Sequence, residues 1–437
     1  MATQSVRLKD SATKESIRFL EELTSNYHGP DFTVRLWDGA MWGHAARPRF
    51  TLELKHPGVL RNMFLAPSEL TLGECFIYDD FDIQGDIEAA FEFADFLLFR
   101  EYSVLDRLKL GSHLARLPAS DQRRAGDGPV LLGEGVHSKE RDRKAVTHHY
   151  DVSNEFYSLW LDRSMTYSCA YFQSNRDGLG TAQEQKLEYI CRKLRLRAGE
   201  HLLDLGCGWG GLLLHAAKNY GVSAFGITLS VPQAELARQR IREAGLAHRC
   251  KVEVCDYRDL ETPQQFDKIV SVGMFEHVGE SHLPEYFRRV WDVLRPGGVF
   301  LNHGIAASAV LQRSGPSFID KYVFPDGELV PLHVTARCAE EAEFEVRDVE
   351  SLREHYALTL RHWVNRLESA AAQARAIVGE TTYRVWRLYM SGAAHAFTTG
   401  RLDLYQLLLS KPDHGESRLP FTRQDWYAPA IEREPCR

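Results

Sequence analysis

From Leu203 to Gly211 the chain reads Leu-Asp-Leu-Gly-Cys-Gly-Trp-Gly-Gly, an apolar run, a carboxylate at Asp204, then alternating glycines ahead of a helical pattern. Such an order lets a strand feed a tight turn beneath a nucleotide-like ligand, because glycine permits the backbone angles and the close main-chain approach. The spacing is G-x-G-x-G rather than the G-x-G-x-x-G of dinucleotide folds, which points to S-adenosylmethionine (AdoMet) more than to NAD. A purely structural turn is the alternative on this segment alone. Three further segments follow in order. Thr228 and Gln233 offer polar groups to a ribose or an amino-acid tail, and Asp256 and Tyr257 offer a carboxylate and a stacking ring to an adenine. Val272 to His277 comes last and carries Glu276. Each is weak alone, since an Asp after a strand usually caps a helix. Their order is the signal.

These residues need a scaffold that delivers them to one edge. Apolar runs at 201–205, 223–227, 251–254, 268–272 and 299–303 alternate with helical patterns, notably 230–244 and 285–294. Such alternation predicts an α/β fold, a parallel sheet with helices on both faces and ligands outside the carboxyl ends of the strands. Upstream, 32–37 and 49–54 read as half-buried antiparallel strands. Residues 87–110 read as one amphipathic helix whose face, with Phe91, Ala94, Leu98, Leu105 and Leu108, fits a core better than a lipid surface. Periodicity fails near Pro118, Gly126, Gly128, Pro129 and Gly133. The expected organisation is a small domain over 1–115, a linker over 116–143 containing Arg123, Arg124, Lys139, Arg141 and Arg143, and a catalytic domain over 144–437.

The 437 residues carry a net charge of -7, which opposes nucleic-acid binding as a partner class. Eight cysteines without C-x-x-C pairs, and no leader or long apolar span, predict reduced thiols in a cytoplasmic protein with at most peripheral membrane contact. His148 and His149 are adjacent, so their side chains diverge and no metal site is expected there. By composition alone, Tyr167, Ser168, Cys169 and their neighbours read as a buried strand.

The runs His149 to Tyr157, Met165 to Phe172, Leu203 to Gly211 and Val272 to Gly279 together resemble the cyclopropane-fatty-acyl-phospholipid synthases and the related mycolic acid methyltransferases. Phe318 to Gly327 and Tyr405 to Ser410 are similar to that family too. Pro67 to Glu74 resembles its small amino-terminal domain. The resemblance implies a Rossmann-like AdoMet methyltransferase sheet preceded by a small α+β, sterol-carrier-like domain. It implies transfer of the AdoMet methyl group to a cis double bond of a phospholipid acyl chain, with a bicarbonate ion as base. Bicarbonate binding carries over to Cys169, Glu276, His303, Tyr356 and the main chain at Ile305. Glu276 and His303 would relay the proton, Tyr356 would donate a hydrogen bond, and Cys169 would act as packing and weak donor rather than nucleophile. AdoMet binding carries over to Tyr150, Tyr167, Ser168, Asp204, Gly206, Gly208, Gly210, Thr228, Gln233, Asp256 and Tyr257. A phospholipid bilayer as peripheral partner and a homodimer are likewise implied.

The chain departs from the family pattern in places. Ala393 stands where some relatives bear a cysteine, which excludes a covalent thiol there. Tyr257 replaces a tryptophan and keeps a stacking ring. Asn302 and Gly304 flank His303 where relatives often have apolar and threonine residues, so the pocket near the cation is expected to differ. A cyclopropane is favoured over a methylene or methyl branch as product. A methyltransferase for a soluble acceptor and a non-catalytic lipid binder are the rival readings.

Overall fold

The computed structural model describes residues 2–43, 45, 47–119, 138–150, 152–260, 263–308 and 317–427, without the side chains of 2–10 and of His148. Most of the expected linker lies outside these residues, including Arg123, Arg124, Gly126, Gly128, Pro129 and Gly133. Two compact units are present: Met1–Pro129 with Gly315–Val323 and Val378–His395, and Val130–Ser314 with Phe324–Ile377 and Ala396–Arg437.

The smaller, α+β unit has strands β1 (Phe32–Arg35), β2 (Met41–Trp42), β3 (Phe50–Leu54) and β4 (Phe81–Gly85), ordered β2-β1-β3-β4. The expected antiparallel pairing is corrected here: β1 and β3 run parallel, with Phe32 opposite Phe50. β2 turns back along the outer edge of β1, so the chain re-enters on the other edge in the original direction. Parallel register sets the Phe32 and Phe50 rings face to face, centroids 5.1 Å apart. The single helix expected over 87–110 is two, Ile87–Phe99 and Val104–Arg116. Ser103 interrupts it with a capping box: its side chain accepts from Asp106 N, and the Asp106 carboxylate accepts from Ser103 N. The buried stripe is Ile87, Ala90, Phe93 and Leu97, whereas Leu105 and Leu108, expected in the core, are 70% and 65% exposed. Arg384, buried, binds the unit together. Its Nη1 donates to the Phe76 and Phe81 carbonyls, its Nη2 to Asp79 and Asp82, and its Nε to Glu380.

The larger unit holds β5 (His201–Leu205), β6 (Ser223–Thr228), β7 (Cys250–Val254), β8 (Phe266–Val272), β9 (Leu294–Ala307), β10 (Glu345–Ser351) and β11 (Leu402–Ser410). Their order is β10-β11-β9-β8-β5-β6-β7; β9 through β7 are parallel, and β11 and β10 add antiparallel pairs at one edge. Alternation along the strands explains helices on both faces. Leu202, Val270 and Leu301 pack with Ile190, Leu213 and Ala237 on one side. Their strand neighbours Leu203, Ile269 and Phe300 pack with Tyr286, Phe287 and Val290 on the other. Each such side chain contributes about 1.5–3 kcal/mol of burial. Local signals start the helices. Gly210 and Gly221 flank helix Gly211–Tyr220 in left-handed conformation, and Ser230 caps Val231–Glu243 by accepting from Gln233 N. Among the described residues no helix is long and apolar enough to cross a membrane, and the described cysteines are free thiols.

Candidate active site

A cleft opens at the carboxyl ends of the parallel strands. Tyr150, Tyr167 and Ser168 line it from the segment ahead of the sheet, and Asp204, Gly206 and Gly208 from the turn after β5. Thr228 and Gln233 follow β6, and Asp256 and Tyr257 follow β7. Gly206 and Cys207 donate their backbone N–H groups to the Ile227 carbonyl, which folds the turn against β6. Gly206 has φ +82°, and a Cβ built on it would stand 2.8 Å from Met274 Cβ, so a side chain is barred twice over. Gly210 does not line the cleft. It faces Ala237, 3.2 Å from where its own Cβ would be, and lets two helices approach.

Polar groups around the cleft are mutually ordered. The Thr228 hydroxyl donates to Gln233 Oε1 at 2.7 Å and accepts from Ser230 N at 3.2 Å. Trp209 Nε1 donates to Asn154 at 2.6 Å. Asp256 accepts from Arg258 Nε at 2.8 Å and from Nη2 at 2.6 Å; Nη2 also reaches Asp142 at 2.9 Å. Burial works to raise the Asp256 carboxyl, but the Arg258 bonds and charge outweigh it and hold it below its ordinary range. Arg258 thus ties helix Lys139–Tyr150, which carries Asp142, to the end of β7. Lys139 to Asp259 and Arg141 to Asp326 add ion pairs from the same helix.

Sequence reasoning missed Arg258 and Lys186, both in the cleft lining. Lys186 does have a signal in the chain, because it interrupts the buried stripe Ala182, Leu187, Ile190 of helix Leu179–Leu194. Its Nζ donates to Ser168 Oγ at 2.9 Å. Burial lowers Lys186 to about 8, against the charges of Asp162 and Asp204, and burial pushes Asp204 up to about 7.

The expected bicarbonate residues are not in the cleft lining. Residues 273–277 give Gly273, Met274 and His277 to the cleft, whereas half-buried Glu276 stays out of its lining with Oε2 fully buried. Glu276 Oε1 accepts from Ile305 N at 2.7 Å, and burial pushes the carboxyl up to about 7. His303 lies two residues before Ile305 on β9, with its ring 3.0 Å from the Gln406 amide across the β9–β11 pair. As placed, Gln406 Nε2 donates to His303 Nδ1, which leaves the ring proton of neutral His303 on Nε2. Burial and the charges of Lys186 and Lys193 keep that ring neutral. Glu276 Oε2 and His303 Nε2 are buried and have no hydrogen-bond partner among the described residues.

Cys169 and Tyr356 meet at a second point. The Leu352 carbonyl is 3.8 Å from Cys169 Sγ and accepts from Tyr356 N at 3.1 Å. Leu352 N in turn donates to Leu404 O, and Leu404 pairs with Ile305, so β11 separates the two pairs by one strand. Burial pushes the Cys169 thiol up, which keeps it protonated and disfavours nucleophilic chemistry. The expectation that Asn302 and Gly304 reshape the pocket is corrected. Asn302 accepts from Tyr286 at 3.0 Å and Gly304 faces Phe275, so both point to the side opposite His303.

Comparison with known proteins gives a consistent picture. The mycolic acid cyclopropane synthetase family matches residues 137–407. A probable fatty acid methyltransferase of Pseudomonas putida is 43% identical over 90% of this chain and 95% of its own length. The cyclopropane-fatty-acyl-phospholipid synthase of Escherichia coli is 38% identical over 63% of this chain and 70% of its own. Among solved structures, the mycolic acid cyclopropane synthase CmaA1 complexed with SAH and CTAB is similar with TM-score 0.58 at 34% identity, covering 61% of this chain and 97% of that one.

Proposed function

Because the chain belongs to the mycolic acid cyclopropane synthetase family of AdoMet-dependent methyltransferases, we propose that it methylates the cis double bond of an unsaturated phospholipid acyl chain and closes a cyclopropane. One observation carries this reading: among the described residues Glu276 Oε2 and His303 Nε2 are buried polar atoms without partners, and Glu276 belongs to the run 273–277 that also lines the cleft. Buried polar groups are normally satisfied, so an orphaned pair implies a ligand.

When bound, AdoMet supplies an electrophilic methyl group and bicarbonate supplies a proton acceptor. An alkene is a weak nucleophile, so the cleft must hold it in line with that methyl. Methylation leaves a cation on the acyl chain, and loss of a proton from the added carbon closes the ring. Neutral His303 donates from Nε2, and protonated Glu276 donates from Oε2, which suits both to an oxyanion. Tyr356 and the thiol of Cys169 flank β11 as weaker donors. Burial of the set excludes the water that would otherwise trap the cation. The acyl chain is drawn from a bilayer at which the protein sits peripherally; Phe99, Val104, Leu105 and Leu108 of the smaller unit, exposed by 70%, 75%, 70% and 65%, support that contact.

Incubation with AdoMet, bicarbonate and vesicles of unsaturated phospholipid is expected to add one CH₂ per reacted chain, with the NMR signature of a cyclopropane. Transfer confined to soluble acceptors would reject the lipid reading. A methylene or methyl branch would support the second reading, a fatty acid methyltransferase, which the Pseudomonas putida relative favours.

A further inference from the structure

Lys186 is 2% exposed, yet it belongs to the cleft lining beside Ser168 and Asp204. An ammonium has three N–H donors and no acceptor. Among the described residues one hydrogen bond is made, to Ser168 Oγ at 2.9 Å. Since Nζ can only donate, Ser168 Oγ accepts, and its own O–H is turned elsewhere as a polarised donor. Gln183 Nε2 holds the carbonyls of Thr166 and Ser168 at 3.3 and 2.9 Å, so the hydroxyl is presented from a pinned backbone. A buried cation with one neutral partner is strongly unfavourable unless an anion completes it.

Asp204, buried at the end of β5, is the complementary case. Among the described residues no hydrogen-bonding cation answers it directly; Lys186 acts on it through charge alone. A cleft lined by both an ammonium and a carboxylate with hydrogen-bonding capacity to spare matches a zwitterion. An amino-acid tail is that ligand.

We propose that Lys186, with the Ser168 hydroxyl, binds the α-carboxylate of the methionyl tail of AdoMet, while Asp204 faces its α-ammonium. The assignment rests on the AdoMet reading above. Anchoring both charges of the tail sets the position of the sulfonium, which in-line transfer requires. Lys186 is therefore a binding residue whose effect on turnover comes through placement.

The test is calorimetric titration of the full chain with S-adenosylhomocysteine and with its decarboxylated analogue, which keeps the amine and lacks the carboxylate. The wild type is expected to prefer the carboxylated ligand by about tenfold or more. Lys186→Met should erase that preference, by weakening S-adenosylhomocysteine and sparing the analogue. Ser168→Ala should reduce the preference in the same direction, and the double variant should be no worse than Lys186→Met, as expected for one shared site. Retention of the wild-type preference in Ser168→Ala and Lys186→Met would overturn the assignment, as would equal weakening of both ligands. Should Lys186→Met fail to fold, Ser168→Ala alone decides. Failure of the wild type to bind either ligand would instead reject the AdoMet reading itself.

Discussion

Each unit buries a cation, and the two are treated differently. Arg384 of the smaller unit is 4% exposed, and every one of its nitrogens has an oxygen partner among Glu380, Asp79, Asp82, Phe76 and Phe81. Lys186 of the larger unit is as deeply buried and has a single neutral partner. Lys193, seven residues on in the same helix, resembles Arg384: it meets Glu350 at 2.5 Å and Asp348 at 3.4 Å. Saturation separates the cases. A buried charge whose donors are all used holds the fold together, and one whose donors are idle is positioned for something that arrives. Glu276 and His303 belong with Lys186 by this criterion.

Where that distinction holds, substituting an unsaturated group should damage activity and spare the fold, and substituting a saturated one should do the reverse. The largest effect is expected for Glu276→Gln, with turnover falling about 10²–10⁴-fold, as for loss of a positioned proton-transfer group, at unchanged AdoMet affinity. Equal losses in both would move Glu276 into cofactor binding. Arg384→Met should lower unfolding free energy by about 3 kcal/mol in denaturant titration, because two carbonyls and three carboxylates lose their donor. Turnover per folded molecule should be preserved, and a large activity loss at intact stability would break the comparison.

A third expectation concerns pH. Burial pushes Glu276 up to about 7 from an ordinary 4.5, so the folded chain holds that proton more tightly than the unfolded chain. The resulting stability is complete below the unfolded value and is lost as pH rises through about 7. Thermal melts should therefore show Glu276→Gln gaining up to about 3 kcal/mol on wild type between about pH 5 and about pH 8. Bicarbonate stimulation of the wild type should weaken over the same range, as Oε2 stops donating. The smallest effect sharpens the other side: Ser230→Ala, removing a satisfied helix cap, should cost about 1 kcal/mol and leave the affinity for AdoMet nearly intact.

The parallel part of the larger sheet was legible because strands buried on both faces appear as apolar runs closed by turn residues. His201–Leu205 matches to the residue and three others to within two, whereas the run 299–303 is the middle of a longer strand, Leu294–Ala307. β10 was not, since Glu-Val-Arg-Asp-Val-Glu-Ser is mostly polar and becomes a strand only by pairing with β11. The cleft residues were accessible through motif order. Gln406 and Lys186 were not, because each is a lone polar residue in an apolar stripe whose meaning depends on what packs opposite. Asn302 and Gly304 were misjudged by proximity in sequence. Adjacent residues of a strand face opposite ways, so the neighbours of His303 are the ones least able to touch what it touches.

The crowding between Gly206 and Met274 has a consequence for how this catalyst can change over generations. Any bulk added at the glycine would press on Met274, two residues before Glu276, so on the function proposed above the cofactor turn and the proton-handling residues share one contact. On that reading, a substitution at the glycine would be felt on both sides of the contact, and the choice between ring and branch would be open to change from the cofactor side.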